Sequence, residues 1–318
     1  YTNTSATTTQ SGLSSLADID FDATNNRLYV PTGNRLLIYN TSSISDGMNA
    51  MNVLGQTSFS ATTNAVTQPG LSSPGSVVAD PANTLIYVTD AGNRVTVYNT
   101  STITNGMNAV NVLGQTTFSG SGSATTQPGM YSPNGVAIDS TNNRLYVSQS
   151  FATRVTVYDV SAISNGMNAV NVIGQSAFDT TAQSSTQATL NFPGGVAFDS
   201  TNNRLYVSMF SNGGRIMVYN TSTITNGMNA VNVLGQTVFN SVTNATTQPG
   251  VSGSRGMAYD ATNNRLYAAD TGNNRITVYD VTAIVNGENA VDLLGQSDQT
   301  SFTDPVPVYN KGGANDGG

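Results

Sequence analysis

Cysteine, histidine and tryptophan are absent from this 318-residue chain, and lysine and glutamate occur once each, at Lys311 and Glu288. Each absence closes a class of chemistry. Without His and Cys, no Ser-His-Asp or Cys-His nucleophile can be assembled. A zinc site with nitrogen or sulfur ligands is equally excluded. Without Cys there are no disulfide staples, and a chain of this length buries enough surface to fold without them. No apolar run of ~18 residues occurs, so no membrane-spanning helix is expected. Charged residues make up only 9 % of the chain, where an average soluble domain carries about 25 %. Ser, Thr, Asn and Gly fill the surface instead, which suits a secreted or cell-surface protein. No signal peptide is visible, and Tyr1 in place of Met suggests a processed N-terminus or an incomplete chain.

Positive charge comes from ten Arg and the one Lys, within a net charge of −7. Arg27, Arg144, Arg204 and Arg265 recur at the start of one strand type, with Thr84 as the exception. Arg35, Arg94, Arg154, Arg215 and Arg275 recur at the start of the next, which leaves Arg255 alone outside the pattern. Arginines placed once per repeat spread around a ring and form no patch, so nucleic acid is not expected as a partner.

What is present is a repeat. Residues 199–219, DSTNNRLYVSMFSNGGRIMVY, have five versions, whose LYV-type tyrosines fall at Tyr29, Tyr87, Tyr146, Tyr206 and Tyr267. A period of 58 to 61 residues decides the architecture before any motif does. Each unit reads as four strands. Strand a is short and apolar, as in GVAID, and a turn of the type Asp-Ser-Thr-Asn-Asn follows, rich in residues that bond their own backbone. Strands b (RLYVS) and c (RVTVYD) alternate with period 2 and carry β-branched and aromatic residues. A Ser/Thr start and an Asn-Gly stop predict one helical turn between strands c and d. Strand d is AVNVLGQ. The expected fold is therefore all-β: a five-bladed β-propeller, four antiparallel strands per blade, with a short helical turn between c and d. Residues 1–15 are expected to be an N-terminal loop, 16–296 the propeller and 297–318 a C-terminal tail. Each blade holds its own four strands, so ring closure would rest on blade 5 packing against blade 1, plus whatever the terminal tails add.

The motif at residues 269–276, ADTGNNRI, followed by TVYD, resembles the signature of NHL-repeat β-propellers of the extracellular, bacterial or archaeal type. So does the pairing of GVAID-type strands with LYVS in blades 3 and 4. The resemblance spans about residues 10–300 and implies the fold; the family includes RNA-binding, lyase and scaffold members, so it fixes no function. Its lyase members, the resemblance implies, hold metal with histidine, which this chain lacks. The chain departs from the family in its long c–d insertion and in the b–c turns QSFAT and MFSNGG of blades 3 and 4.

Asp22, Asp80, Asp139, Asp199 and Asp260 end strand a in every repeat and read as turn residues that accept backbone N–H bonds. The strand-c arginines read as buried donors to backbone carbonyls between blades. Blade 1 differs: Asp18, Asp20 and Asp22 alternate and so face one side of a strand. Arg255 is at the matching edge of blade 5, so it is expected to pair with Asp18 or Asp20 across a ring seam. The alternatives are a Ca²⁺ site at Asp18 and Asp20, or solvated carboxylates; no other metal or cofactor is expected. Sequons occur at Asn3, Asn40, Asn99, Asn220 and Asn244; Asn40, Asn99 and Asn220 sit right after strand c, where the other blades have Asp159 and Asp280, which favours capping over glycosylation. Variation concentrates on the face formed by the b–c and d–a connections: Tyr131, Gln149, Phe151, Phe192, Met209, Phe210 and Asn212. These side chains either cover the edge of the core or form a binding surface for a glycan or protein. The sequence thus points to a non-enzymatic extracellular structural or adhesive protein, a self-assembling surface or filament subunit that binds other copies of itself. The competing reading is a monomeric lectin-like module for cell-surface glycan or protein. A hydrolase using Asp pairs has least support.

Overall fold

The computed structural model describes residues 7–210 and 214–295. Asn3, Asn212, Gln296 and the tail 297–318 lie outside the described residues. Among the described residues, twenty strands form five antiparallel sheets of four, each sheet in chain order. Blade 1 holds β1 (Asp20–Asp22), β2 (Arg27–Thr32), β3 (Arg35–Asn40) and β4 (Asn52–Leu54). Blade 2 holds β5 (Val77–Asp80), β6 (Leu85–Asp90), β7 (Arg94–Asn99) and β8 (Asn111–Leu113). Blade 3 holds β9 (Pro133–Asp139), β10 (Arg144–Gln149), β11 (Arg154–Asp159) and β12 (Asn171–Ile173). Blade 4 holds β13 (Pro193–Asp199), β14 (Arg204–Met209), β15 (Ile216–Asn220) and β16 (Asn232–Leu234). Blade 5 holds β17 (Met257–Asp260), β18 (Arg265–Asp270), β19 (Arg275–Asp280) and β20 (Asp292–Leu294). The expected five-bladed, all-β propeller arrangement is the one the chain adopts.

The strands are apolar on both faces because each middle blade is packed on both sides. The turn after strand a works as its composition suggests: Asn25 N–H donates to Asp22 Oδ1 (3.0 Å), and Asn142 N–H to Asp139 Oδ1 (3.1 Å). The residue before strand b takes a left-handed conformation, as at Asn143 (φ 52°) and Thr84 (φ 54°). Thr84 is thus the counterpart of Asn143. The arginine position of blade 2 is filled by Leu85, one residue later than the sequence pattern implied.

The helical turn expected between strands c and d does not form. Among the described residues the one helix is a 3₁₀ turn at Thr271–Asn273, between β18 and β19. The c–d segment is spent on two other bonds. The side chain after strand c caps its own turn, as where Ser101 N–H donates to Asn99 Oδ1 (2.9 Å), which bears out the capping role read at Asn40, Asn99 and Asn220. Its Asn-Gly tip then crosses to the blade before it. Asn105 Oδ1 accepts from Val53 N–H (3.1 Å), and Gly106 N–H donates to Val53 O (2.9 Å). The same pair of bonds recurs from Asn165, Asn226 and Asn286 to Val112, Val172 and Val233. The outer strand edges of blades 1 to 4 are therefore each covered by the following blade, which removes an open sheet edge.

Apolar clusters span each joint. Tyr29, Leu36, Ile38 and Leu54 of blade 1 pack on Val77, Ile86 and Val88 of blade 2, and the pattern repeats through blade 5. Buried arginines add a second tie. Arg94 donates to Thr67 O (3.1 Å) and Gly70 O (2.9 Å) in the connection before its blade, and to Phe118 O in the connection after it. Arg154 does the same with Thr125, Gly129 and Phe178. The strand-c arginines are interblade donors, as their spacing suggested.

The two ends of this row are bare. Ile19 on blade 1 is 61 % exposed, whereas its counterpart Val77 is 3 % exposed. Phe21 and Ile44 on the same side are exposed as well. On the far side of blade 5, Leu294 is 52 % exposed where Leu54, Leu113, Ile173 and Leu234 are fully buried, and Ile276 is also exposed. Among the described residues blade 5 does not cover blade 1, and closure by blade 5 on blade 1 is not observed.

Candidate functional site

Two places gather side chains that the repeat does not explain. The first is the central channel, a cavity of ≈ 550 Å³ walled by the innermost segments of all five blades. Asp18, Asp20 and Arg255 all line it. The pairing expected between Arg255 and these carboxylates is not made. Both carboxylates turn toward blade 2. Ser76 Oγ donates to Asp18 Oδ2 (2.6 Å), and Ala79 N–H donates to Asp20 Oδ2 (2.6 Å). Alternation does put the two on one side of the strand, and that side faces blade 2, because the opposite side of blade 1 is the open one. Burial pushes the carboxyl of Asp20 up to about 6, with the charges of Asp18 and Asp22 adding to it. Burial likewise raises Asp18, against the Ser76 hydroxyl, which lowers it. Arg255 turns instead to blade 4, where its guanidinium lies 3.6 Å from the ring centre of Phe210. That is cation–π distance. No group of three or more metal-ligating side chains occurs among the described residues, and two carboxylates engaged by blade 2 do not build a Ca²⁺ shell.

The second place is the face of the b–c and d–a connections at blades 3 and 4. Tyr131, Phe151 and Phe192 meet there: Tyr131 and Phe151 at 5.4 Å between ring centres, Phe151 and Phe192 edge-on at 6.0 Å. Phe151 is half-exposed, as is Tyr131 to a lesser degree. Phe192 has φ 48°. A bulky side chain in the left-handed region is strained, and the matching position in blade 5 is Gly253. Strain of this kind concentrates at functional positions.

Two of the residues assigned to this face belong to the interior. Gln149 and Met209 are fully buried. Both stand at the end of strand b, opposite the arginine that opens strand c. In blades 2 and 5 that position is Asp90 and Asp270, which form buried ion pairs with Arg94 and Arg275 (2.9 and 2.8 Å). Gln149 is the neutral version: its Oε1 accepts from Arg154 Nε (3.2 Å) and from Tyr131 N–H (3.0 Å). Met209 has no group to offer, and Arg215 beside it keeps Nε and one terminal nitrogen buried without an acceptor. Burial lowers the pKa of Arg215 and brings that of Arg154 to about 10.

No protein-family model and no characterised protein sequence matches the chain, so the NHL resemblance rests on its motifs alone. Among solved structures, a chain of "Crystal structure of Nidogen/Laminin Complex" is similar, with a TM-score of 0.49 and 13 % identity over 87 % of this chain and 83 % of that chain.

Proposed function

We propose that this chain is a non-catalytic extracellular structural protein that works by being joined to other protein, as a subunit of a surface assembly. The observation that carries this reading is the pair of bare blade faces. Ile19, Phe21 and Ile44 on one end and Ile276 and Leu294 on the other are apolar, and no described residue covers them. Monomeric soluble proteins seldom leave such surface open, and patches of this kind mark association sites. A surface with 9 % charged residues does little to keep copies apart. The residue inventory agrees, since it lacks the His and Cys that most hydrolytic sites use. Negative-stain electron microscopy of the purified protein tests the reading. Fibres or sheets with a propeller-sized repeat support it; separate discs at every concentration overturn it.

The aromatic cluster supports a second reading, a binding face for glycan or protein. Ring faces stack on the apolar faces of sugars, and the strained Phe192 beside the exposed Phe151 is the specific observation in its favour. Glycan-array binding that is lost in Phe151→Ala and kept in Ile19→Ser would favour it over assembly.

A further inference from the structure

We propose that the partner of the bare blade-5 face is the bare blade-1 face of a second copy, joined head to tail through the same contacts that link the blades inside one chain. This rests on the assembly reading above and names its joint. The argument comes from the four internal joints, each of which is a template.

In every internal joint, a strand-d residue gives its N–H to an Asn side chain and its C=O to the following Gly N–H. Val53, Val112, Val172 and Val233 are the four recipients. Leu293 is the fifth in the series, and among the described residues no turn reaches it. The complementary tip exists, at Asp46 and Gly47 of blade 1. Gly47 keeps the left-handed φ of 66° shared with Gly106 and Gly227. A Cβ at Gly106 would fall 3.1 Å from Thr57 Cα of the preceding blade, whereas a Cβ at Gly47 would meet nothing within 4 Å among the described residues. The tip is shaped for a neighbour that none of the described residues supplies.

The arginines at the start of strand b show the same vacancy. Arg27, Arg144 and Arg204 each donate to a carbonyl of the next blade: Thr100 O (2.9 Å), Thr221 O (2.7 Å) and Val281 O (2.5 Å). Arg265 has no next blade and folds back on Asp280 (2.5 Å). In a second copy, the matching carbonyl is that of Thr41. Two faces that lack each other's counterpart in backbone bonds, apolar side chains and arginine acceptor form a heterologous joint. Such a joint propagates rather than closing in pairs. The five innermost segments already surround the channel, so a continued row must leave its plane and climb along the channel axis.

The joint has one built-in difference. Inside the chain, two Asn side chains meet at each joint, Asn52 with Asn105 at 3.2 Å and the other pairs at 3.4 Å. At the head-to-tail joint both become carboxylates, Asp46 and Asp292. Two like charges at such a distance oppose association and are relieved by salt or a divalent cation.

The test uses the absence of cysteine. D46C/D292C is treated with a short bis-maleimide and run on denaturing gels, beside N52C/N105C, which reports the equivalent internal contact. The same samples are viewed by electron microscopy. The expected result is a concentration-dependent ladder of dimers, trimers and longer species, against a single intramolecular product in the control. A product confined to the monomer would show that the ring closes on itself and overturn the proposal. Polymers seen by microscopy without the ladder would place the joint elsewhere, so the inference falls while the assembly reading stands. Neither ladder nor polymers, with the control cross-linked, overturns both. Independently, D46N/D292N restores the Asn pair and is expected to lower the concentration at which polymers appear by about five- to tenfold at low salt; no shift would count against this joint.

Discussion

The joint between blades 1 and 2 and the open face of blade 1 are built from nearly the same residues, and only one of them is covered. Val77 and Ile19 occupy the same place in their repeats; one is sealed in a core and the other faces water. The difference teaches that the repeat sets what a blade can bind, while its place in the row sets what it does bind. The largest expected contrast follows directly. Val77→Asp places a charge in a sealed joint and should cost roughly 3–5 kcal/mol, whereas Ile19→Asp should leave the melting temperature of the monomer almost unchanged. Thermal unfolding at low protein concentration measures both. Equal losses would mean that the blade-1 face is covered in solution.

Joints also differ in how completely their arginine is served. Arg94 meets a carboxylate and Arg215 meets Met209. Met209→Asp should stabilise the protein by about 1–3 kcal/mol by giving the buried guanidinium an acceptor. Arg215→Met should be better tolerated than Arg94→Met, which strands Asp90. Chemical denaturation of the variants orders them, and a reversed order would remove the arginine argument.

A smaller contrast lies in the turn tips. Gly106→Ala and Gly47→Ala share the strain of a positive φ, about 1 kcal/mol. Only the first also pushes a methyl into the preceding blade. The excess loss at Gly106, on the order of 1 kcal/mol, measures the closeness of a joint that Gly47 does not make within one chain.

The smallest effect concerns pH. The folded-state pKa of Asp20, about 6, lies above its unfolded value near 3.8, so the folded state favours the protonated form. Stability is therefore full below about pH 4, falls as pH rises through 6 and stays lower above it. Asp20→Asn keeps an acceptor for Ala79 N–H and should flatten this slope, raising Tm near pH 8 by about 2–3 °C. Asp18, shifted in the same direction, preserves part of the slope. A pH profile that is unchanged in Asp20→Asn would exclude a charged Asp20 as its cause.

The blades themselves were legible in the sequence because a period near sixty residues, turn-forming Asp and alternating strands state them locally. The strand-c arginines were legible for the same reason, being fixed to the frame. Gln149 and Met209 drew attention as candidate face residues because they vary between blades, and the structure places both in the interior. Variation there reflects which partner each arginine receives, and that partner is a tertiary fact. The c–d segment carries Ser/Thr and Asn-Gly signals that a helix would also show. Its Asn instead serves the neighbouring blade, some fifty residues away in the chain. The open seam was invisible, since Ile19 and Phe21 have the composition of core residues whether or not anything covers them. The Arg255 pairing failed with it: it assumed a closed seam, and without one Phe210 is the nearer partner.

An open row of similar units has a thermodynamic consequence of its own. Each interior blade is held by two neighbours and each end blade by one, so the chain approximates a short one-dimensional lattice with two boundaries. Disorder should enter at the boundaries and move inward. Amide protons of β10 and β11 in blade 3 should then exchange last, and those of blades 1 and 5 first. Capping either boundary would raise the stability of the blades behind it without changing a residue in them.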